Sequence, residues 1–165
     1  MFFLFNKIQF SRQSNRMKTI GDTEIAREIY NSSKSQNLKF LLNERFDWMN
    51  RFINESDVGI EVGSGAGFTK DFIKNKNLKL TDMRSDEHLD FKNIDAQNTK
   101  FENESFDYVI VGFGLRNFSD LDESLKEVWR VLKKDGFFLC LEFSEINNSF
   151  IRNLFYVYGK IIPKY

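Results

Sequence analysis

The chain alternates short apolar runs with longer segments in which apolar residues recur every three or four positions. The runs cover residues 58–62, 78–81, 91–94, 108–111 and 137–141. They are rich in β-branched and aromatic residues and too short for helices, so each predicts a strand buried on both faces. Ahead of them, Asp22 is placed to cap a short helix with Ile25, Ala26, Ile29 and Tyr30 on one side and Glu24 in its first turn. The cluster Asn31-Ser32-Ser33-Lys34-Ser35 breaks that helix. Over residues 38–53 the positions Leu38, Leu41, Leu42, Phe46, Met49, Phe52 and Ile53 keep a helical period, which predicts one amphipathic helix against the sheet. Ser119 and Asp122 form a capping box for a later helix whose face is Leu121, Leu125, Val128 and Leu132. Lys133 and Lys134 suit its negative end, and Gly136 closes the turn. Strands alternating with helices predict an α/β fold with a mostly parallel sheet.

The first run ends at Glu61-Val62 and opens into Gly63-Ser64-Gly65-Ala66-Gly67, followed by a helix-compatible stretch, 69–74. Strand, glycine turn and helix begin a βαβ unit, where backbone passes close to a ligand and only hydrogen side chains leave room. The G-x-G-x-G spacing departs from the G-x-G-x-x-G of dinucleotide folds, which weakens a nicotinamide reading. Asp82 closes the second run, nineteen positions after Gly63. In an open parallel sheet it stands at the carboxyl end of the neighbouring strand, able to accept hydrogen bonds from two ribose hydroxyls. Only twelve residues separate Asp82 from Asp95, which ends the third run. A parallel crossover usually needs a dozen residues or more with a helix, so that helix is expected to be absent or reduced to one turn. Part of a sheet face is then left exposed or covered by the N-terminal helices.

Composition narrows this little. At 165 residues the chain fits one domain, 21–165, after a flexible or extension segment, 1–20. Lysine plus arginine and aspartate plus glutamate both number 24, so net charge draws the chain toward neither nucleic acid nor anionic lipid. One cysteine precludes an internal disulfide and fits a reducing, cytoplasmic setting. The single His88 cannot build a metal site with Cys140, and no metal is expected. Cys140 reads as a small buried hydrophobe with no base partner. The apolar start, 1–5, is too short to span a bilayer and makes a poor signal peptide. Met17 is a candidate true start; a tail touching a membrane surface is the sharper alternative.

The acidic end of the first strand, the three glycines and Asp82 together resemble class I S-adenosylmethionine-dependent methyltransferases. The resemblance implies a Rossmann-like three-layer sandwich and S-adenosyl-L-methionine as cofactor. It implies that Gly63, Gly65 and Gly67, with Ser64 and Ala66 between them, pass under the methionine part. Glu61 would support the ammonium side and Asp82 hold the ribose. Asp95-Ala96 occupies the place where the family sets an acid near the adenine, and 101–107 is similar to the stretch that follows it. The plainer reading of Asp95 is a strand-to-loop turn.

A narrower likeness comes from Gly112-Phe113-Gly114-Leu115-Arg116-Asn117, residues 129–136, Leu141-Glu142-Phe143-Ser144 and Ile161-Ile162-Pro163-Lys164. These resemble the C-methyltransferases of ubiquinone and menaquinone biosynthesis, with their F-G-x-R-N and L-E-F-S motifs. The likeness runs over 112–165. Over 58–111 it is to class I methyltransferases in general, and upstream of 58 the quinone family's N-terminal motif is not matched, so a front half from another branch is expected. Gly112 stands where that family commonly has serine and Ala66 where it often has threonine. Each lost hydroxyl removes a hydrogen bond of about 1 kcal/mol, so cofactor affinity is expected to be weaker.

The resemblance implies C-methylation of a polyprenyl benzoquinol or naphthoquinol, with Arg116 and Asn117, joined by Asp95 and a water, as the deprotonating group. An arginine stays protonated, so Arg116 reads as stabilising a phenolate or hydroxide. An Arg–Asn pair capping the loop is the structural alternative. In the family, the amphipathic aromatic stretch 148–165 leads to two further strands and a last helix. The sheet is therefore expected to be truncated after the fifth strand, leaving an edge or apolar face for a quinol tail, the inner face of a membrane, a second copy in a homodimer, or simple aggregation. Methylation of another small metabolite, and an inactive cofactor-binding fragment or pseudoenzyme, are the competing functions.

Overall fold

The computed structural model describes residues 21–32 and 36–142. The apolar start, Met17 and the aromatic stretch 148–165 lie outside the described residues. Four strands, β1 (Gly59–Val62), β2 (Leu78–Thr81), β3 (Phe106–Gly112) and β4 (Leu132–Leu141), form one sheet in the order β2-β1-β3-β4. All pairings are parallel, as the apolar runs require. Among the described residues three α-helices accompany them: α1 (Gly21–Asn31), α2 (Gln36–Phe46) and α3 (Leu121–Val131).

The third apolar run is not a strand. Phe91 makes a single parallel bridge to Thr81, on the side of β2 away from β1. Asp90 serves that edge instead: its carboxylate accepts the Leu80 N–H at 2.9 Å, and its own N–H donates to Leu80 C=O at 3.0 Å. No helix intervenes between Asp82 and β3, as the short spacing indicated. The stretch expected to be helical after the glycines forms only a 3₁₀ turn, Phe68–Asp71. The chain is then captured by Asn75, whose buried amide donates to the carbonyls of Asn54, Glu55 and Asp57 at 2.7, 3.2 and 2.9 Å. The Asn75 carbonyl accepts the Tyr108 hydroxyl at 3.1 Å and the Asn77 N–H at 2.7 Å. One side chain thus satisfies backbone that a crossover helix would otherwise organise.

The single helix expected over 38–53 ends at Phe46 and continues as a 3₁₀ turn, Asp47–Arg51. Asn50 explains the change, since it donates to Phe72 C=O at 3.0 Å and accepts the Lys74 N–H at 2.9 Å. Only Leu42, Phe46 and Met49 of the stripe are fully buried; Leu41 and Phe52 are exposed. α1 keeps only part of its expected face: Tyr30 is buried, but Ile25 and Ile29 are 54% and 55% exposed and Thr23 is buried in addition. α3 starts one residue later than expected. Asp120, not Ser119, is its N-cap, with Oδ1 accepting the Glu123 N–H at 3.0 Å. Its buried side carries Ser124, Glu127, Val128 and Val131, and Trp129 is 78% exposed. Lys133 and Lys134 do not finish the helix; they begin β4, where Lys133 pairs with Asp107 at 2.8 Å. Gly136 lies within β4, in an irregularity between the Phe106↔Leu132 and Tyr108↔Phe137 pairs.

Strand alternation divides the core into two faces. Tyr108 and Ile110 of β3 point with Leu78 and Leu80 toward α1, α2 and the Phe46–Phe72 stack. Ile60, Val62, Val109 and Val111 point the other way, onto Val128 and Val131 of α3. On that side Glu127 accepts the Thr99 N–H and hydroxyl, both at 2.7 Å, and is clasped by Arg130. The Arg130 guanidinium beside it holds its carboxyl down at about 2. This cluster ties the loop 95–105 to α3 and so holds one wall of the site in place.

Gly59 is the tightest point in the fold, because a Cβ there would lie 2.0 Å from Cζ of the fully buried Tyr108. Gly59→Ala is expected to destabilise the chain by about 3 kcal/mol, at the upper end of overpacking costs. Urea unfolding would show this as a lower midpoint at unchanged slope.

Candidate functional site

A hollow of about 500 Å³ opens at the carboxyl ends of β1, β2 and β3. This is where ligands bind in open parallel sheets. Its floor is Val62, Gly63, Ser64 and Gly65; one wall is Asp82, Met83 and Arg84, and another is Asp95, Ala96 and Gln97. Gly112, Phe113, Gly114 and Asn117 close the β3 side.

The glycine loop is built from alternating left-handed residues, Gly63, Gly65 and Gly67, at φ of 73°, 54° and 74°. Ser64 extends the β1–β2 ladder into it: its N–H donates to Thr81 C=O at 2.9 Å, and its hydroxyl accepts the Thr81 N–H at 3.0 Å and donates to Glu61 C=O at 3.2 Å. The Ser64 hydroxyl is therefore committed within the protein. Gly65 N–H donates to Asp82 Oδ2 at 2.9 Å, which fastens the loop to the end of β2. Asp82 Oδ1 accepts from the Arg84 N–H and Nε at 3.1 and 3.3 Å, and Arg84 Nη1 reaches Thr23 of α1 at 3.0 Å. Asp82 Oδ1 thus already accepts two donors, while Oδ2 keeps lone-pair capacity for one more.

The residues singled out in the sequence divide between the hollow and its surroundings. Gly63, Ser64, Gly65, Asp82, Asp95, Ala96, Gly112 and Asn117 line one common space. Ala66, Gly67, Glu61 and Arg116 do not. Ala66 C=O is bonded by Arg27 Nη1 of α1 at 2.8 Å. Gly67 packs against His88 and Leu80. Arg116 is exposed and paired with Glu142 at 2.7 Å. Asp95 both lines the hollow and makes its turn, Oδ1 accepting the Gln97 N–H at 2.9 Å.

Met83, Arg84, Gln97, Phe113 and Phe118 also line the hollow and were not anticipated. The signal for the first two was available: with no crossover helix, the residues just after Asp82 must stay at the mouth. Phe113 carries a left-handed φ of 58°, a strained setting for a bulky residue, and Arg45 lies 5.5 Å from its ring centre.

Glu61 points into the α1/α2 side of the core, 2% exposed. Oε1 accepts the Thr69 hydroxyl at 2.6 Å, and Oε2 has no hydrogen-bond partner. Burial pushes its carboxyl up to about 7, against the Thr69 hydrogen bond, which pulls it down. Gly112 separates it from the hollow, and a Cβ on Gly112 would lie 3.5 Å from Glu61 Oε1 and 3.2 Å from the Phe46 ring. A serine at Gly112 would therefore need the Phe46 ring to give way by a few tenths of an ångström. Cys140 is half-buried, and burial pushes its thiol up to about 11, so it stays protonated at neutral pH.

The hollow fits S-adenosyl-L-methionine in one testable respect: a Cβ on Gly63 would meet nothing within 4 Å, so bare backbone faces open space beside the Asp82 carboxylate. Solved structures share the architecture. An S-adenosylmethionine-dependent methyltransferase of Aquifex aeolicus matches 78% of this chain and 77% of its own, at 16% identity and a TM-score of 0.53. A protein of Pyrococcus horikoshii matches over 79% and 64%, at 21% identity and a TM-score of 0.54. The fold is that of the class I methyltransferases.

Within this class, residues 25–165 match the ubiE/COQ5 methyltransferase family, and the chain belongs to that family. Two relatives, each named ubiquinone/menaquinone biosynthesis C-methyltransferase UbiE, are 36% identical over 99 residues (Rickettsia felis) and 26% over 186 residues (Rickettsia akari). These alignments take in 59% and 98% of this chain, and 40% and 74% of the relatives. The family match begins at residue 25, which overturns the expectation that the front half comes from another branch.

Glu61 gives a pH test of the site. Its folded value, about 7, lies above the ordinary 4.5, so below 4.5 both states are protonated and the fold bears no penalty. As pH rises through this window the unfolded chain releases the proton first, and the fold loses up to about 3 kcal/mol by pH 7. Glu61→Gln is expected to gain stability relative to wild type between pH 4.5 and 8, read from urea midpoints at both ends. A pH-independent difference would contradict the assignment.

Proposed function

We propose that the chain transfers a methyl group from S-adenosyl-L-methionine to a small molecule, and that the acceptor is a ring carbon of a polyprenyl quinol, the class of reaction for which its Rickettsia relatives are named. The observation that carries this reading is the meeting of Gly65 and Asp82, joined at 2.9 Å, in one hollow at the ends of parallel strands. Backbone at Gly63 and Gly65 would hold the amino-acid part of the cofactor. Asp82 Oδ2 would accept from a ribose hydroxyl, and the Asp95–Gln97 wall would take the base. When bound, the cofactor supplies an electrophilic methyl group for in-line displacement.

The protein's task is then largely positioning and charge stabilisation. A ring carbon becomes nucleophilic when the neighbouring hydroxyl loses its proton, so the site must favour a phenolate. Asn117 lines the hollow and offers an amide donor. Arg116, next to it, is held at the rim by Glu142 and adds a fixed positive charge. A lipid-tailed acceptor would bring the chain to the cytoplasmic face of a membrane. Among the described residues, no helix is long and apolar enough to cross one.

Titration calorimetry with S-adenosylhomocysteine is expected to give saturable binding, at least tenfold weaker for Asp82→Asn, equivalent to about 1.4 kcal/mol. No binding at millimolar ligand would overturn the reading in favour of an inactive fragment. Incubation with a demethylated quinol is expected to add one methyl mass to the ring. Arg116→Ala should lower that turnover by roughly a hundredfold with the binding constant unchanged, within the range for loss of one charge-stabilising group. Unchanged turnover would remove Arg116 from the chemistry.

A further inference from the structure

The three glycines of the loop have different neighbours. Gly63 faces open space, and Gly65 has only Arg84 near its Cβ direction, at 3.6 Å. Gly67 is crowded: a Cβ there would lie 2.8 Å from Cδ2 of His88 and 2.9 Å from Leu80. The imidazole therefore fills the notch that the absent side chain leaves. Its Nε2 lies 2.8 Å from Gly65 C=O, and since a carbonyl can only accept, Nε2 is the protonated nitrogen. Gly65 is the residue whose N–H is fastened to Asp82. Both backbone groups of Gly65 are thus held by side chains from the segment that follows β2.

We propose that His88 is a positioning residue for cofactor binding, clamping the glycine loop in place of the crossover helix that this chain lacks. The loop leads into a 3₁₀ turn of four residues, too short to anchor it, and the 83–105 segment has no helix at all. Asp82 fixes the N–H side of Gly65 and His88 the carbonyl side. Arg27 bonds the next carbonyl, Ala66 C=O, from α1. A loop held at successive peptides is preorganised, so the ligand does not have to order it on binding. Gly67 is needed, on this account, to admit the His88 ring, and not to admit a ligand. The inference rests on the methyltransferase reading for the identity of the ligand, but the clamp itself does not.

Two variants separate the ring from its hydrogen bond. His88→Phe keeps a ring over Gly67 and deletes the donor; His88→Gln keeps a donor and deletes the ring. Calorimetry with S-adenosylhomocysteine is expected to show about tenfold weaker binding for His88→Phe and a change within about threefold for His88→Gln, the size expected for one hydrogen bond. Wild-type affinity in His88→Phe, or an equal loss in both variants, would overturn the proposal. Amide exchange at residues 65–67 in the ligand-free chain reads the clamp without the cofactor, and is expected to be faster in His88→Phe only. If the wild type binds no cofactor but shows this difference in exchange, the functional reading fails and the clamp stands. If exchange is the same in the wild type and both variants, the clamp fails.

Discussion

The contact on which the site depends is the hydrogen bond from the Gly65 N–H to the Asp82 carboxylate, spanning 17 positions of sequence. It can form only if β1 and β2 run parallel in the observed register, with Val62 opposite Thr81. It also needs Gly65 in a left-handed conformation that a side chain would penalise. A charged acceptor makes such a bond stronger than a neutral one. Arg84 balances the charge and carries the connection on to Thr23, so α1, the loop and the end of β2 are joined through one carboxylate.

Much of what surrounds this contact is polar side chain standing in for regular backbone. Asn75 gathers three carbonyls below β1, Asp90 completes the outer edge of β2, and Glu127 with Arg130 secures the loop ahead of β3. These groups are costly if left unpaired and specific when paired, so each fixes a path the chain could otherwise wander from. The same logic accounts for Glu61 by contrast. Its Oε1 accepts from Thr69 and its Oε2 has no partner, and burial raises its proton affinity.

Where the sequence was legible, a local rule and a long-range requirement agreed. The apolar runs at 78–81 and 108–111 could be buried only as parallel strands, and the glycines followed by an acid at the next strand end could be read as one pocket. Where it was not, a tertiary contact outweighed the local pattern. Asn50 ended a helical stripe that periodicity carried on to Ile53, and Asp120 won the capping position from Ser119 by one residue. Ile25, Ile29 and Tyr30 marked an apolar side of α1, yet of these only Tyr30, bonded to Asp71, is buried, while Arg27 reaches Ala66 C=O in the glycine loop. His88 went unread because its place against Gly67 is set by a tertiary contact that leaves no periodicity to detect, whereas the short spacing after Asp82 did offer a signal for Arg84.

The two faces of the sheet also differ in how far apart in sequence their residues lie. On the α3 face, Ile60 and Val62 of β1 join β3, α3 and β4, of which the last three follow one another closely in the chain. The opposite face draws Tyr30, Met49, Leu80 and Leu139 together from most of the described length. The helices on that face bury little, with Ile25 and Ile29 of α1 and Phe40 and Leu41 of α2 exposed, and elements with few buried apolar contacts open first in native fluctuations. Breathing of the molecule should therefore begin at α1 and α2, loosening the roots of the glycine loop while the β3–α3–β4 half stays folded. Residue-resolved protection factors lower in α1 than in α3 would report that hierarchy, and the reverse order would refute it.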